Sequence, residues 1–453
     1  MGRVAIIGAG PSGLVAAKSA IECGLNPVVF EQASTYGGIW RPRVQGGFIW
    51  NNMHANLSYY CGMFSDYSWN NEADCFPSQQ AIYEYLGKYI DEFKLKSYLR
   101  FNTSVISIKK HENIWQVDRL EGGENKTEEF EYIIVATGIF TEPYVPDIKG
   151  SEEFEGEVLH SKEYDVPNNF RNKKVVVIGG AFSGAEISAE IATTTLPEKV
   201  INIINEPFCV LKRYVPYKTH HSPVDLVLYI RAKEGPQRRE EITKLGYCHN
   251  SNSQEPHGYI IADSYEEEVK GGRISIVEGK IQEFKKESII VNGTEVPADI
   301  VIFATGYKLK LPFFDEAITK KLEFFPDDQL QPLILHKATF HLIYITWLFG
   351  KISLPEYEVM LKGLEEERKI RNKKPRPQFP HGDYINFADD IAKEIKVLPD
   401  FDELRRNNPH VYELFLEGPM VGSNYRYSGF GSNPELAVKL SEKARKALEQ
   451  QSK

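Results

Sequence analysis

The chain has 453 residues, a formal net charge of -9 at pH 7 and 42% hydrophobic residues. That length exceeds a single hydrophobic core and calls for two or three domains, and the acidic balance argues against nucleic acid as a partner. The best apolar run, residues 342–349, is far shorter than the roughly 18 residues of a membrane helix. Residues 440–453 are charged and polar, and because the first strand begins at once the N-terminus is not expected to be a secretory leader. A soluble protein without a membrane anchor is expected, cytoplasmic, or secreted if a leader has been removed.

Val4-Ala5-Ile6-Ile7 predicts a buried parallel strand, residues 14–23 an alanine-rich helix, and Pro27-Val28-Val29-Phe30 a second strand. Between the first strand and the helix lies Gly8-Ala9-Gly10-Pro11-Ser12-Gly13. Its glycines permit a tight turn and close backbone approach, and the positive end of the helix faces a pyrophosphate. Glu31 stands where ribose hydroxyls would lie; a carboxylate there accepts from a diol and repels a 2′-phosphate, so the site prefers FAD or NAD to NADP. A second glycine pair, Gly37-Gly38-Ile39-Trp40, would let backbone close over a flat cofactor.

The pattern recurs downstream. Val175-Val176-Val177-Ile178 predicts a strand, Gly179-Gly180-Ala181-Phe182-Ser183-Gly184 the loop, and residues 185–192 the start of a helix. Ala181 replaces the glycine that normally meets the pyrophosphate. The next strand, residues 200–204, ends at Asn205-Glu206, followed by Lys212-Arg213. Those two cations are the candidates for a 2′-phosphate, against a solvated basic pair as the plainer reading; Glu206 argues the other way, so NADPH versus NADH stays open. Ile133-Ile134-Val135-Ala136-Thr137-Gly138 and its near copy Ile300-Val301-Ile302-Phe303-Ala304-Thr305-Gly306 are each expected to close one nucleotide-binding half. The expected organisation is α/β with two dinucleotide-binding, Rossmann-like domains: a FAD domain over residues 1–167, an NAD(P)H domain inserted at residues 168–299, and residues 300–453 completing the FAD domain and covering the active site.

The five cysteines are odd in number and widely spaced, so neither a disulfide framework nor a metal cluster is expected, and His220-His221, which lacks an acidic or cysteine partner at metal spacing, is expected to be loop surface. No C-x-x-C pair is present, which weighs against a flavin disulfide reductase. Tyr59, Tyr60, Phe64, Tyr67 and Trp69 serve equally as core or as the wall of a pocket for cationic amines.

Phe154, Gly156, His160 and Tyr164 fit F-x-G-x-x-x-H-x-x-x-Y, which resembles the identifying motif of flavin-containing monooxygenases. Ala55-Asn56-Leu57-Ser58, Phe76-Pro77 with Tyr85-Leu86, Phe303-Ala304-Thr305-Gly306-Tyr307 and Asn424-Tyr425-Arg426-Tyr427 with Gly429-Phe430-Gly431 extend the resemblance over nearly the whole chain. It implies FAD and NADPH as cofactors, molecular oxygen and an amine or sulfide as small-molecule substrates, and a C4a-hydroperoxyflavin as oxygen donor, with the oxidised nicotinamide retained to shield it. Tyr164, where Baeyer-Villiger relatives carry Trp, favours N- or S-oxygenation, and the shorter form resembles insect enzymes that N-oxygenate plant alkaloids. By the same resemblance Asn56 is the catalytic residue; Gln32, Leu57, Val105, Ala136, Thr137 and Gly138 join Gly8–Gly13, Glu31 and Gly38–Trp40 around FAD; and Ala55, Thr305 and Gly306 join Gly179–Gly184, Lys212 and Arg213 around NADP. His160 is expected to link domains more than to move protons. Met360 stands where relatives often carry Gln. A homo-oligomer, dimer or tetramer, is expected. The alternatives are a Baeyer-Villiger monooxygenase, an NAD(P)H-flavin reductase or oxidase, and a non-catalytic dinucleotide sensor.

Overall fold

The computed structural model describes residues 2–69, 74–165, 170–232, 244–248, 259–321, 384–429 and 431–450. Two compact units account for the chain, one comprising 1–54, 77–144 and 306–353 and the other 55–76, 145–305 and 354–453. Met360, Phe430 and the apolar run 342–349 lie outside the described residues.

In the first unit the described residues form a parallel sheet in the order Leu99–Arg100, Asn26–Phe30, Arg3–Ile7, Tyr132–Val135. The apolar run at its centre follows from burial on both faces. Val4 and Ile6 pack with Ala17 and Ala20 of the helix Pro11–Glu22, whereas Ala5 and Ile7 pack on the opposite face with Ile108, Val117, Phe130, Leu311 and Phe313. That second face is covered by an antiparallel sheet of Thr103–His111, Ile114–Glu121 and Glu124–Phe130.

The second unit carries a parallel sheet in the order Ile274–Glu278, Lys199–Ile204, Lys174–Ile178, Ile300–Phe303, Glu157–His160. The two similar strands do close the two halves, Tyr132–Val135 beside Arg3–Ile7 and Ile300–Phe303 beside Lys174–Ile178. The units differ from the division at 167/168 and 299/300: Glu157–His160 and Ile300–Phe303 belong to the second sheet, and the described residues 384–429 and 431–450 group with the second unit. Buried Arg231 explains much of the latter. It takes a paired hydrogen bond to Asp389 and donates to the carbonyl of Phe415 and to Asn424 Oδ1.

Two expectations are corrected. Cys209 and Cys248, 39 residues apart, are joined by a disulfide, because they face each other across the antiparallel pair Cys209–Leu211 and Tyr247–Cys248 with Cα atoms 4.1 Å apart. His220-His221 is not open loop: His220–Pro223 pairs with Tyr214–Tyr217, and His220 Nε2 lies 2.8 Å from the carbonyl of Leu448.

One polar side chain interrupts the apolar strand Lys199–Ile204. Asn202 is fully buried; its Nδ2 donates to the carbonyls of Val177 and Gly179, both at 3.0 Å, and its Oδ1 accepts from Tyr265 Oη at 2.6 Å. It therefore ties the strand end and first loop glycine to the neighbouring strand. Asn202→Leu leaves the Tyr265 hydroxyl buried without that acceptor and should destabilise the protein by about 2–4 kcal/mol, read as a lowered urea midpoint; an unchanged midpoint would contradict this role.

Candidate functional site

The first site is built where Arg3–Ile7 ends. Gly8 is left-handed at φ 108°, and a Cβ on it would stand 2.6 Å from the carbonyl oxygen of Ala136. A Cβ on Gly13 would collide with the carbonyl of Gly8. Both glycines are thus required by protein packing alone. Gly10 is different: the nearest protein atom to its Cβ position is Gly38 Cα, at 3.6 Å. Among the described residues nothing demands a glycine there, which fits a position kept bare for a ligand. Gly10 also caps the helix Pro11–Glu22 without a side-chain bond, and its first turn holds no acidic residue, so backbone N–H groups of that turn remain for an anion.

The other predicted residues of this unit gather around the loop. Glu31 Oε2 accepts from Ala9 N at 2.8 Å and Oε1 from Ala33 N at 2.9 Å, with Arg41 at 3.5 Å. Gly37 N donates to Ala9 O at 2.9 Å, which brings the short 3-10 helix Gly38–Trp40 onto the glycine loop. Ala136 N donates to Ile7 O, placing Thr137 and Gly138 beside the same strand end. Gln32 is exposed next to Glu31, and Val105 packs against the core on the sheet's far face. These residues fit the diphosphate and ribose of FAD: an uncapped helix start, a bare glycine and a carboxylate at the end of the second strand.

The second loop repeats the logic. Gly179 is held at φ 138° against the carbonyl of Ala304, and a Cβ on Gly184 would run into Gly179 O. Ala181 caps the helix Phe182–Thr194, again with no side-chain bond and no acid in the first turn. Its methyl is exposed, so the fold tolerates the missing glycine. Gly180 sits against Phe208 and Ile204; Phe182, Ser183 and Thr305 are half-buried, and Gly306 is left-handed at φ 84°.

Lys212 and Arg213, adjacent in sequence, meet different surroundings. Lys212 is half-exposed and pairs with the still more exposed Glu267 at 2.5 Å. Arg213 has 13% of its side chain exposed and is engaged on every side: Glu186 and Asp263 at 2.8 Å, the carbonyl of Ala55 and Asn56 Oδ1 at 3.1 Å. Beside it, Ser58 donates its N–H and its hydroxyl, each at 2.7 Å, to Asp225, which is 1% exposed. Glu186, Asp225, Asp263 and Asn202 were not singled out from the sequence. The signal for Asn202 was present as a lone amide inside an apolar run; the carboxylates look like ordinary charges until folded.

Tyr164, buried, donates to Glu190 at 2.9 Å, and His160 Nδ1 accepts from Lys162 N at 3.1 Å, so both motif residues are tied into the second unit. Tyr59, Tyr60 and Trp69 are buried, with Tyr59 in contact with both other rings, while Leu57 is exposed.

Burial pushes the Glu186 carboxyl up to about 7, against the pull of the Arg213 guanidinium. A folded-state value above the ordinary carboxylate one means that the native protein holds the extra proton, so this group's contribution is present at low pH and is lost as pH rises through about 7. Glu186→Gln should remove that slope, worth up to ~3 kcal/mol, and bring the denaturation temperatures at ~pH 5 and ~pH 8 closer together. The same slope in the variant would show that Glu186 is already ionised. At the first loop, Gly10→Ala should fold normally, since its methyl meets only ordinary contacts, yet retain much less flavin after purification; full yellow colour would show that the loop does not bear the pyrophosphate.

The flavin-binding monooxygenase-like family matches residues 1–447. Flavin-containing monooxygenase 1 of Rattus norvegicus is 27% identical, over 95% of this chain and 90% of its own. The human dimethylaniline monooxygenase [N-oxide-forming] 4 is 28% identical, over 95% of this chain and 85% of its own. Among solved structures, the S-allyl-L-cysteine S-oxygenase from Allium sativum shares the fold with a TM-score of 0.64 at 18% identity, covering 98% of each chain. The fold is α/β with two Rossmann-like domains, and the cofactors are FAD and NADPH. No helix among the described residues is long and apolar enough to cross a membrane. With its two glycine loops and the family match running from one end to the other, the chain belongs to the flavin-binding monooxygenase-like family.

Proposed function

We propose that this enzyme uses NADPH and molecular oxygen to N-oxygenate a tertiary amine of moderate polarity, an alkaloid with a bridgehead nitrogen being the type, with sulfides as the related soft nucleophiles. The observation that carries the choice is Tyr164, buried at the end of the family motif with its hydroxyl on Glu190, in the place where ketone-oxygenating relatives carry Trp. The similarity to an N-oxide-forming human relative supports the same reading.

When bound and reduced, FAD would supply the activation of molecular oxygen, one atom of which goes to the substrate and the other to water. The chain's own part is to bind, orient and exclude water. Glu31 would take the ribose hydroxyls of FAD and the first glycine loop its diphosphate; the second loop would take the diphosphate of NADPH. Lys212 is the cation for the 2′-phosphate, because its one exposed ion pair is readily exchanged for a phosphate, whereas Arg213 would have to abandon four acceptors. Asn56 is the catalytic residue, a neutral amide that donates a hydrogen bond to the bound cofactor without supplying an acid. Lys212→Ala should then raise the KM for NADPH several-fold and leave that for NADH unchanged; equal changes would remove Lys212 from the phosphate site.

The test is a panel of tertiary amines, sulfides and ketones scored as product formed per NADPH consumed. N-oxides are expected, with a rate that climbs with pH toward the substrate's own pKa, since only the free base has a lone pair. Esters from ketones, with amines giving hydrogen peroxide alone, would replace this reading with the Baeyer-Villiger one.

A further inference from the structure

The segment Ala55-Asn56-Leu57-Ser58 is gripped at two points by side chains far away in sequence. Arg213 takes its near end: Nε donates to the carbonyl of Ala55 and Nη2 to Asn56 Oδ1, both at 3.1 Å. Asp225 takes its far end through two 2.7 Å bonds from Ser58. Arginine has donors only, so the Asn56 atom facing it must be the oxygen. That settles the side-chain amide in one of its two orientations and leaves its NH2 for donation elsewhere. The grip is itself braced. Glu186 holds the guanidinium from the helix Phe182–Thr194 and Asp263 from a turn, and Asp225, deep in the protein, can stay there only with donors on its oxygens.

We infer that Arg213 and Asp225 are the positioning residues of Asn56: one fixes which way its amide points, the other fixes the backbone that carries it. Arg213 thereby acts through Asn56 and not through the coenzyme. The inference rests on the proposed role of Asn56 as the donor to the bound cofactor. It makes Asn56, Arg213 and Asp225 one functional unit, and the losses from residues that act as a unit do not add.

Two measurements test it. In cofactor-free protein, amide exchange of the peptide spanning residues 55–62 should be slow, and Asp225→Ala should speed it about tenfold, the effect of losing the bond from the Ser58 amide to a buried carboxyl oxygen. Exchange unchanged in that variant overturns the backbone half of the inference, whatever the enzyme catalyses. In the loaded enzyme, Arg213→Met should raise hydrogen peroxide formed per NADPH consumed to nearly the level of Asn56→Ala, equally with NADPH and NADH, and should add nothing when placed in the Asn56→Ala background. An additive increase there, or a loss confined to NADPH, overturns the inference and returns Arg213 to the fold or to the 2′-phosphate. If Asn56→Ala itself stays fully coupled, the catalytic reading of Asn56 fails, while the exchange result still decides whether Asp225 holds the segment. Should Arg213→Met fail to fold, Glu186→Gln combined with Asp263→Asn loosens the same guanidinium and should give the same peroxide signature.

Discussion

Each half of this molecule is organised by one close approach, the first turn of a helix laid directly over the end of the strand that precedes it. Gly13 lies against the carbonyl of Gly8, and Gly184 against that of Gly179, with no room for a Cβ at either place. The approach has an electrostatic result. It leaves helix N–H groups uncapped at the strand end in both halves, a concentration of positive partial charge that the fold creates without any cation. Everything assigned to nucleotide binding is arranged around those two points.

The complementary side chains sit one strand over and differ between the halves. In the first, Glu31 reaches back to the amide of Ala9; in the second, Asn202 reaches back to the carbonyls of Val177 and Gly179. A carboxylate next to the loop suits ribose hydroxyls. An amide buried beneath the loop has no such ligand role and serves to hold the turn. On the reading proposed above, the second half meets its coenzyme with groups farther along the chain, such as Lys212.

The strands and the glycine loops were legible because burial on both faces leaves an unbroken apolar run, and because only glycine satisfies the approach just described. Gly10 was legible for the opposite reason: it is glycine although the protein itself leaves space there. What the sequence could not show are contacts whose cause is long range. The antiparallel sheet of residues 103–130 reads as an ordinary charged stretch until its Ile108, Val117 and Phe130 are seen against Ala5 and Ile7. Cys209 and Cys248 pair only because two short strands bring them opposite each other. The grouping of 384–429 and 431–450 with the second unit depends on partners such as Arg231 and Asp389, and on Ser222 and Leu448, which no local pattern connects.

Lys212 and Arg213 show how far two neighbouring cations can diverge. One extra exposed ion pair costs Lys212 little to break, because water solvates both partners. Arg213 is largely removed from water, and there a cation must be met by acceptors in fixed directions; the planar guanidinium supplies donors in enough directions for Glu186, Asp263, Ala55 and Asn56 at once, which a lysine ammonium could not reproduce. The carboxylates answer unequally. Asp263 is half-exposed and accepts from the Arg213 amide with its other oxygen, whereas Glu186 is so buried that even an adjacent arginine leaves its acidity weakened. The charge at this place is consequently balanced by a group that titrates near neutrality, and the amide of Asn56 is held through the guanidinium which that group meets.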